Sequence, residues 1–79
     1  MAATLLFLGR LEDLAGASIR EVASGPLETV LTTLEPALAA ALREERVRLA
    51  LNGTLLSERG GIVLADGDEL AFLPPVSGG

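Results

Sequence analysis

The sequence predicts an α+β domain in which a helix packs on one face of a sheet. Two observations carry that reading. Short apolar runs with period-two alternation stand near both ends and in the second half of the chain, around 4–8, 47–51 and 69–73, as half-buried strands require. Between them, Leu27, Val30, Leu31, Leu34, Leu38, Ala41 and Leu42 recur at helical spacing, which marks one buried helical face. The chain has 79 residues, 49% hydrophobic and 22% charged, enough for one small core and no linker.

Taken in order, Thr4–Leu8 is a first strand ended by Gly9; with Thr4 outward, Leu5 and Phe7 point to the core while Leu6 and Leu8 share the outer face. Arg10–Ala17 reads as a turn-like link, and Ser18–Ala23 as a second strand at an edge, antiparallel to the first. Ile19 and Val22 are out of phase for simple alternation, which a bulge would reconcile. Pro26 suits a first helical position and Glu28 a first turn, where a negative charge meets the helix dipole. Pro36 has no N–H for the ladder, so the main helix is expected to stop near Leu34 or Glu35 and a short second helix to run from Pro36 to Leu42. Arg43–Arg46 is a solvated, mixed-charge cluster. Val47–Asn52 is the next strand, with Val47, Leu49 and Leu51 inward. Asn52-Gly53 is a tight-turn signal leading back into Thr54–Leu56. Ser57–Gly61 forms a polar loop, and Asp66-Gly67-Asp68 a hairpin-like turn without calcium-loop spacing. Glu69–Leu73 is the last strand, with Leu70 and Phe72 inward and Ala71 and Leu73 outward.

Composition narrows the function. His, Cys, Lys, Tyr and Trp are all absent, which removes the usual general base, the thiol nucleophile, the Schiff-base amine and the soft or imidazole metal ligands. Catalysis by this chain alone is not expected, and neither a metal nor a permanently bound cofactor. A net charge of −5 disfavours nucleic acid and favours a basic protein partner. No segment has the length of a membrane span, and the first strand lacks the flanks of a signal peptide; with no Cys the cytoplasm is the expected compartment. A mean hydropathy of +0.48 implies exposed apolar surface. If the first and last strands are neighbours, Leu6, Leu8, Ala71, Leu73 and Leu55 form one docking patch on the face away from the helix.

The chain finishes Pro74-Pro75-Val76-Ser77-Gly78-Gly79. The prolines cannot extend a strand ladder, and the glycines end it with no side chain. The block Asp66–Gly79, the opening Leu5–Gly16 and the strand and turn Val47–Gly53 together resemble the small subunits of molybdopterin synthases, a family of sulfur carriers, over essentially the whole chain. That resemblance implies a ubiquitin-like β-grasp fold, with a mixed sheet of four to five strands, over residues 1–73 and an extended tail over 74–79. It implies that an ATP-dependent activating enzyme adenylates the Gly79 carboxylate, that sulfur from a persulfide donor replaces AMP to give a thiocarboxylate, and that Gly78 lets the end insert into the large synthase subunit. There the sulfur passes to cyclic pyranopterin monophosphate. Pro74, Pro75, Val76 and Ser77 would lie in the partner's channel; six extended residues span at most about 20 Å. The chain departs from the family in a compact Leu42–Val47 segment and in Leu8 and Leu73, where relatives frequently carry Phe. Carriers for thiamine thiazole or tRNA thiolation, a ubiquitin-like protein modifier and a plain interaction domain remain open alternatives.

Overall fold

Alternation decides the sheet. In the structure, a computed structural model that describes residues 1–75, β1 (Ala2–Phe7) buries Ala3, Leu5 and Phe7 and turns Ala2, Thr4 and Leu6 outward. Past Gly9 the chain forms α1 (Arg10–Ala15), a helix where a link was expected. Only Leu11 of this helix is buried, and Gly16 closes it at φ 78°, a left-handed cap that glycine adopts without strain. Six residues with one buried position are too few to show a helical period.

β2 (Ile19–Ala23) is an antiparallel edge strand, as expected, but it carries no bulge: Ala2↔Ala23 through Leu6↔Ile19 pair without interruption. The phase conflict disappears because Ile19 faces outward, 57% exposed, while Val22 packs against the core. Arg20 shares the face of Val22 and reaches past the open edge, donating to the Glu35 carboxylate at 2.8 Å and to the Ala15 carbonyl oxygen at 3.3 Å.

β3 (Gly25–Pro26) leads directly into α2 (Leu27–Thr32), so Pro26 is the N-cap and not the first helical residue. α2 ends two residues sooner than expected. The Thr32 and Thr33 hydroxyls donate to the Thr29 and Val30 carbonyls, and such back-bonding competes with helix propagation. α3 (Pro36–Leu42) starts at its proline, as the sequence indicates. The expected main helix therefore has 6 residues and the short second one 7. Ala39 is buried where Ala41 was expected; Ala41 is only partly covered.

β4 (Arg48–Leu51) and β5 (Thr54–Leu55) are joined by Asn52-Gly53, both at positive φ (50° and 85°), the geometry that a two-residue hairpin loop demands. β6 (Val63–Leu64) pairs with β3 in a separate two-stranded ribbon, which was not anticipated. β7 (Glu69–Leu73) has the expected bounds and phase, with Leu70 and Phe72 fully buried. The five-stranded sheet runs β2-β1-β7-β4-β5, with β1 and β7 parallel and the other pairings antiparallel. It is thus mixed, as the resemblance implied.

The helices cover one face only. Leu27, Val30, Leu31, Leu38 and Leu42 meet Leu5, Leu49 and Leu70 in one core cluster. Phe7 and Phe72, the chain's only aromatic residues, sit opposite each other in the β1–β7 register with ring centroids 5.9 Å apart and planes 13° from parallel. The core is otherwise aliphatic, and no charged or polar side chain is buried among the described residues.

Candidate functional site

The strand that leads into the terminal segment is the middle one of the five. β7 is hydrogen-bonded to β1 on one side and to β4 on the other, and its last residue, Leu73, is registered against Arg48. Just beyond β1, the Leu8 N–H donates to the Phe72 carbonyl oxygen at 3.3 Å. Pro74 and Pro75 then stop the ladder, since neither has an N–H to offer. Gly9 holds this exit open. Its backbone lies at φ 56°, ψ −135°, and a Cβ built there would stand 3.0 Å from the Pro74 Cγ. Pro74 occupies space that any other residue at position 9 would claim. Of the expected tail residues, Pro74 and Pro75 are half-buried at this base. Val76, Ser77, Gly78 and Gly79 lie outside the described residues.

The outer face of the sheet is ordered in rows, because residues paired across strands point the same way. Through the middle runs Ile19–Leu6–Ala71–Ala50–Leu55, one residue from each strand. It is wholly apolar and spans about 19 Å at ordinary strand spacing. Toward the tail, Leu73 is paired with Arg48, and Leu8, 45% exposed, continues the β1 register beside it. At the far end Glu21, Thr4 and Glu69 form a polar row. The expected patch of Leu6, Leu8, Leu55, Ala71 and Leu73 is therefore brought together on one face. Ile19 and Ala50 complete it and were missed: the first because its phase was unresolved, the second because alanine gives little signal by itself.

The acidic turn serves structure. The Ala2 N–H donates to Asp66 Oδ1 at 3.0 Å, and Asp68 accepts from the Ala65 N–H at 2.9 Å and from Asn52 Nδ2 at 3.0 Å. Those two bonds, the backbone one foremost, hold the Asp68 carboxyl below its ordinary value. Asn52 Oδ1 in turn accepts from the Glu69 N–H at 2.9 Å, tying the hairpin loop to the start of β7. Glu35 is likewise lowered, chiefly by the hydrogen bond from Arg20. Among the described residues no cluster of acidic side chains is placed to hold a metal ion, and no helix is long and apolar enough to cross a membrane.

Two grooves flank Pro74 and Pro75. One, of about 420 Å³, lies on the helix side between Leu11, Leu14, Ala41 and Val47, with Arg10 and Glu44 at its margin. The other is lined by Glu45, Arg46 and Arg48.

Comparison with known proteins bears on the family and the fold. The ThiS family model matches residues 5–79. The molybdopterin synthase sulfur carrier subunit of Escherichia coli (strain K12) is 35% identical over 80 residues, 95% of this chain and 96% of that protein. Among solved structures, the crystal structure of the small archaeal modifier protein SAMP1 from Haloferax volcanii superimposes with a TM-score of 0.79 at 25% identity, covering 100% of both chains. A protein–protein complex of subunits 1 and 2 of the molybdopterin-converting factor from Helicobacter pylori 26695 contains a chain that matches with a TM-score of 0.67 at 24% identity, again over 100% of both; at that identity the likeness bears on the fold. The fold is the ubiquitin-like β-grasp.

Proposed function

The chain belongs to the ThiS family, and from that membership we propose that it is the sulfur-carrier subunit of a molybdopterin synthase, presenting Gly79 to partner enzymes that supply the catalysis. The observation that carries the reading is the place of β7, the strand that precedes the terminal residues: it is central in the sheet and crossed by a continuous apolar row. The 35% identity to the Escherichia coli carrier subunit supports the choice of cargo.

The chemistry follows from the terminal group. A carboxylate is a poor electrophile, so an oxygen of Gly79 first attacks the α-phosphorus of ATP held by an activating enzyme, and pyrophosphate leaves. The terminal sulfur of a persulfide then attacks the acyl carbon, and AMP departs with the C–O electron pair. A thiol cleaves the S–S bond of the resulting acyl disulfide, becoming oxidised as the sulfur stays behind as a thiocarboxylate. The charged chain docks through the apolar row on the large subunit, the tail of residues 74–79 enters its active site, and the sulfur passes to cyclic pyranopterin monophosphate. ATP belongs to the activating enzyme, and this chain needs no cofactor of its own. Glycine at the last two positions offers no side chain to obstruct a narrow channel. The absence of Cys and Lys leaves no thiol or side-chain amine within the chain to intercept the activated acyl group.

Intact mass spectrometry tests the proposal. After incubation with ATP, an activating enzyme and a sulfur donor, the expected product carries sulfur for one oxygen at Gly79. An unchanged mass under conditions that charge the Escherichia coli carrier refutes it. The likeness to SAMP1 favours a second reading, a modifier joined through Gly79 to amines of other proteins; isopeptide-linked adducts in cells, abolished by deleting Gly79, would establish that reading.

A further inference from the structure

We propose that the base of the tail is itself a docking surface: a collar that receives an acidic rim bearing an apolar side chain on the partner that accepts the tail. The inference rests on the carrier reading and extends the contact beyond the sheet face to the helix side.

Geometry requires part of this. A tail can enter a narrow channel only if the mouth of that channel closes around its base, and Pro74 and Pro75 line grooves on both flanks. On the helix side the floor is apolar, with Leu11 and Val47 buried and Leu14 on the wall 47% exposed. An aliphatic side chain from the rim would fill this groove and cover Leu14.

Charge selects the rest. Arg20 and Arg43 are salt-bridged to Glu35 and Glu28, and Arg59 donates to the carbonyls of Leu42 and Glu44. The other three of the six arginines, Arg10, Arg46 and Arg48, make no salt bridge among the described residues, and all three line the grooves at the tail base. Glu44 and Glu45 border the same grooves without pairing to them. In a chain of net charge −5, half of the arginines thus stand around one exit without an ion pair among the described residues, while Glu21 and Glu69 occupy the opposite end of the sheet face. Carboxylates on the rim complement the collar and fix the direction in which the carrier approaches. They need not repel the anionic end of the tail. The four residues beyond Pro75 can extend as far as about 14 Å, more than the Debye length of about 8 Å at physiological salt.

Titration calorimetry of the full chain with the molybdopterin synthase large subunit from the same source tests the collar, using R46E/R48E and L14D, with L14S as a milder companion. Each is expected to weaken binding at least about tenfold at an unchanged melting temperature, and R46E/R48E to flatten the loss of affinity with added salt. Variants that bind like wild type, with wild-type salt dependence, overturn the collar and leave the carrier reading standing. A wild-type chain that does not bind the large subunit overturns the carrier reading, and the collar with it.

Discussion

Replacing Gly9 by alanine isolates the residue that shapes the tail exit. At φ 56°, ψ −135° the backbone lies outside the wells open to residues with a Cβ, and holding one there costs about 1–3 kcal/mol. The new methyl would also stand 3.0 Å from the Pro74 Cγ, an atom of a ring that can yield only by repuckering or by moving the tail base. A 79-residue domain has a total stability of roughly 4–12 kcal/mol, so the substitution removes a sizeable fraction. At about 4–8 °C per kcal/mol, melting followed by circular dichroism should fall by about 5–20 °C. Gly16→Ala is the control: Gly16 is also at positive φ (78°), but a Cβ there meets nothing within 4 Å, so the change costs only about 1–2 kcal/mol of left-handed backbone strain. Gly9→Ala should also slow charging of Gly79 at a temperature where both variants are folded; Gly16→Ala should not. A Gly9→Ala protein that melts within about 2 °C of wild type, or that charges no worse than Gly16→Ala, refutes the reasoning.

Leu6→Asp places a charge within the apolar row, beside its central Ala71, on a half-buried outer position; binding to the large subunit should fall at least about tenfold, since burying one leucine is worth about 1.5–3 kcal/mol, while melting barely moves. Asn52→Ala deletes the bonds to Asp68 and the Glu69 N–H and puts alanine at φ 50°. A loss of about 1–3 kcal/mol is expected in urea titrations, and Asn52→Gly, which relieves the backbone, should recover part of it. Asp68 and Glu35 both have carboxyls lowered from ordinary values of 3.8 and 4.5. Their stabilisation is therefore complete above those values and is lost as pH falls through the lowered ones. Melting temperature should hold steady down to about pH 5 and drop below it, with a shallower drop in Asp68→Asn.

What the sequence disclosed followed from how many residues voted on each element. β7 and β4 alternate over several positions, so their bounds and inward faces could be read almost residue by residue, and Asn52-Gly53 fixed the hairpin between β4 and β5 by backbone chemistry alone. α1 was hidden because six residues with Leu11 as the single buried position carry no period. β2 resisted because an edge strand buries little: Val22 is half-covered, Arg20 guards the open edge and Ile19 faces out, so no inward face dominates. The β3–β6 ribbon consists of two-residue strands, one of them Gly25-Pro26, a pair that sequence reading assigns to a turn. Of the apolar outer face, Leu6, Leu8, Leu55, Ala71 and Leu73 were legible, while Ile19 and Ala50 were not. The grouping of Arg10, Arg46, Arg48 and Leu14 around Pro74 and Pro75 was invisible, because these residues converge only through the fold.

The placement of β7 suits the delivery role proposed above. An edge strand can fray by breaking one ladder, whereas releasing β7 means breaking bonds to both β1 and β4 and exposing Leu70 and Phe72, which are fully buried. Local opening scales with the contacts it must break, so the end of β7 belongs to the most stable part of the molecule. The Phe7–Phe72 stack lies immediately behind Leu73, anchoring the exit to the core at the last residue before Pro74. In a carrier that hands its terminus to a channel, a fixed base lets docking on the sheet face determine where the tail points. The rows of that face, polar far from the exit, apolar in the middle and cationic beside it, would let the proposed partner dock in one orientation before any terminal residue is engaged.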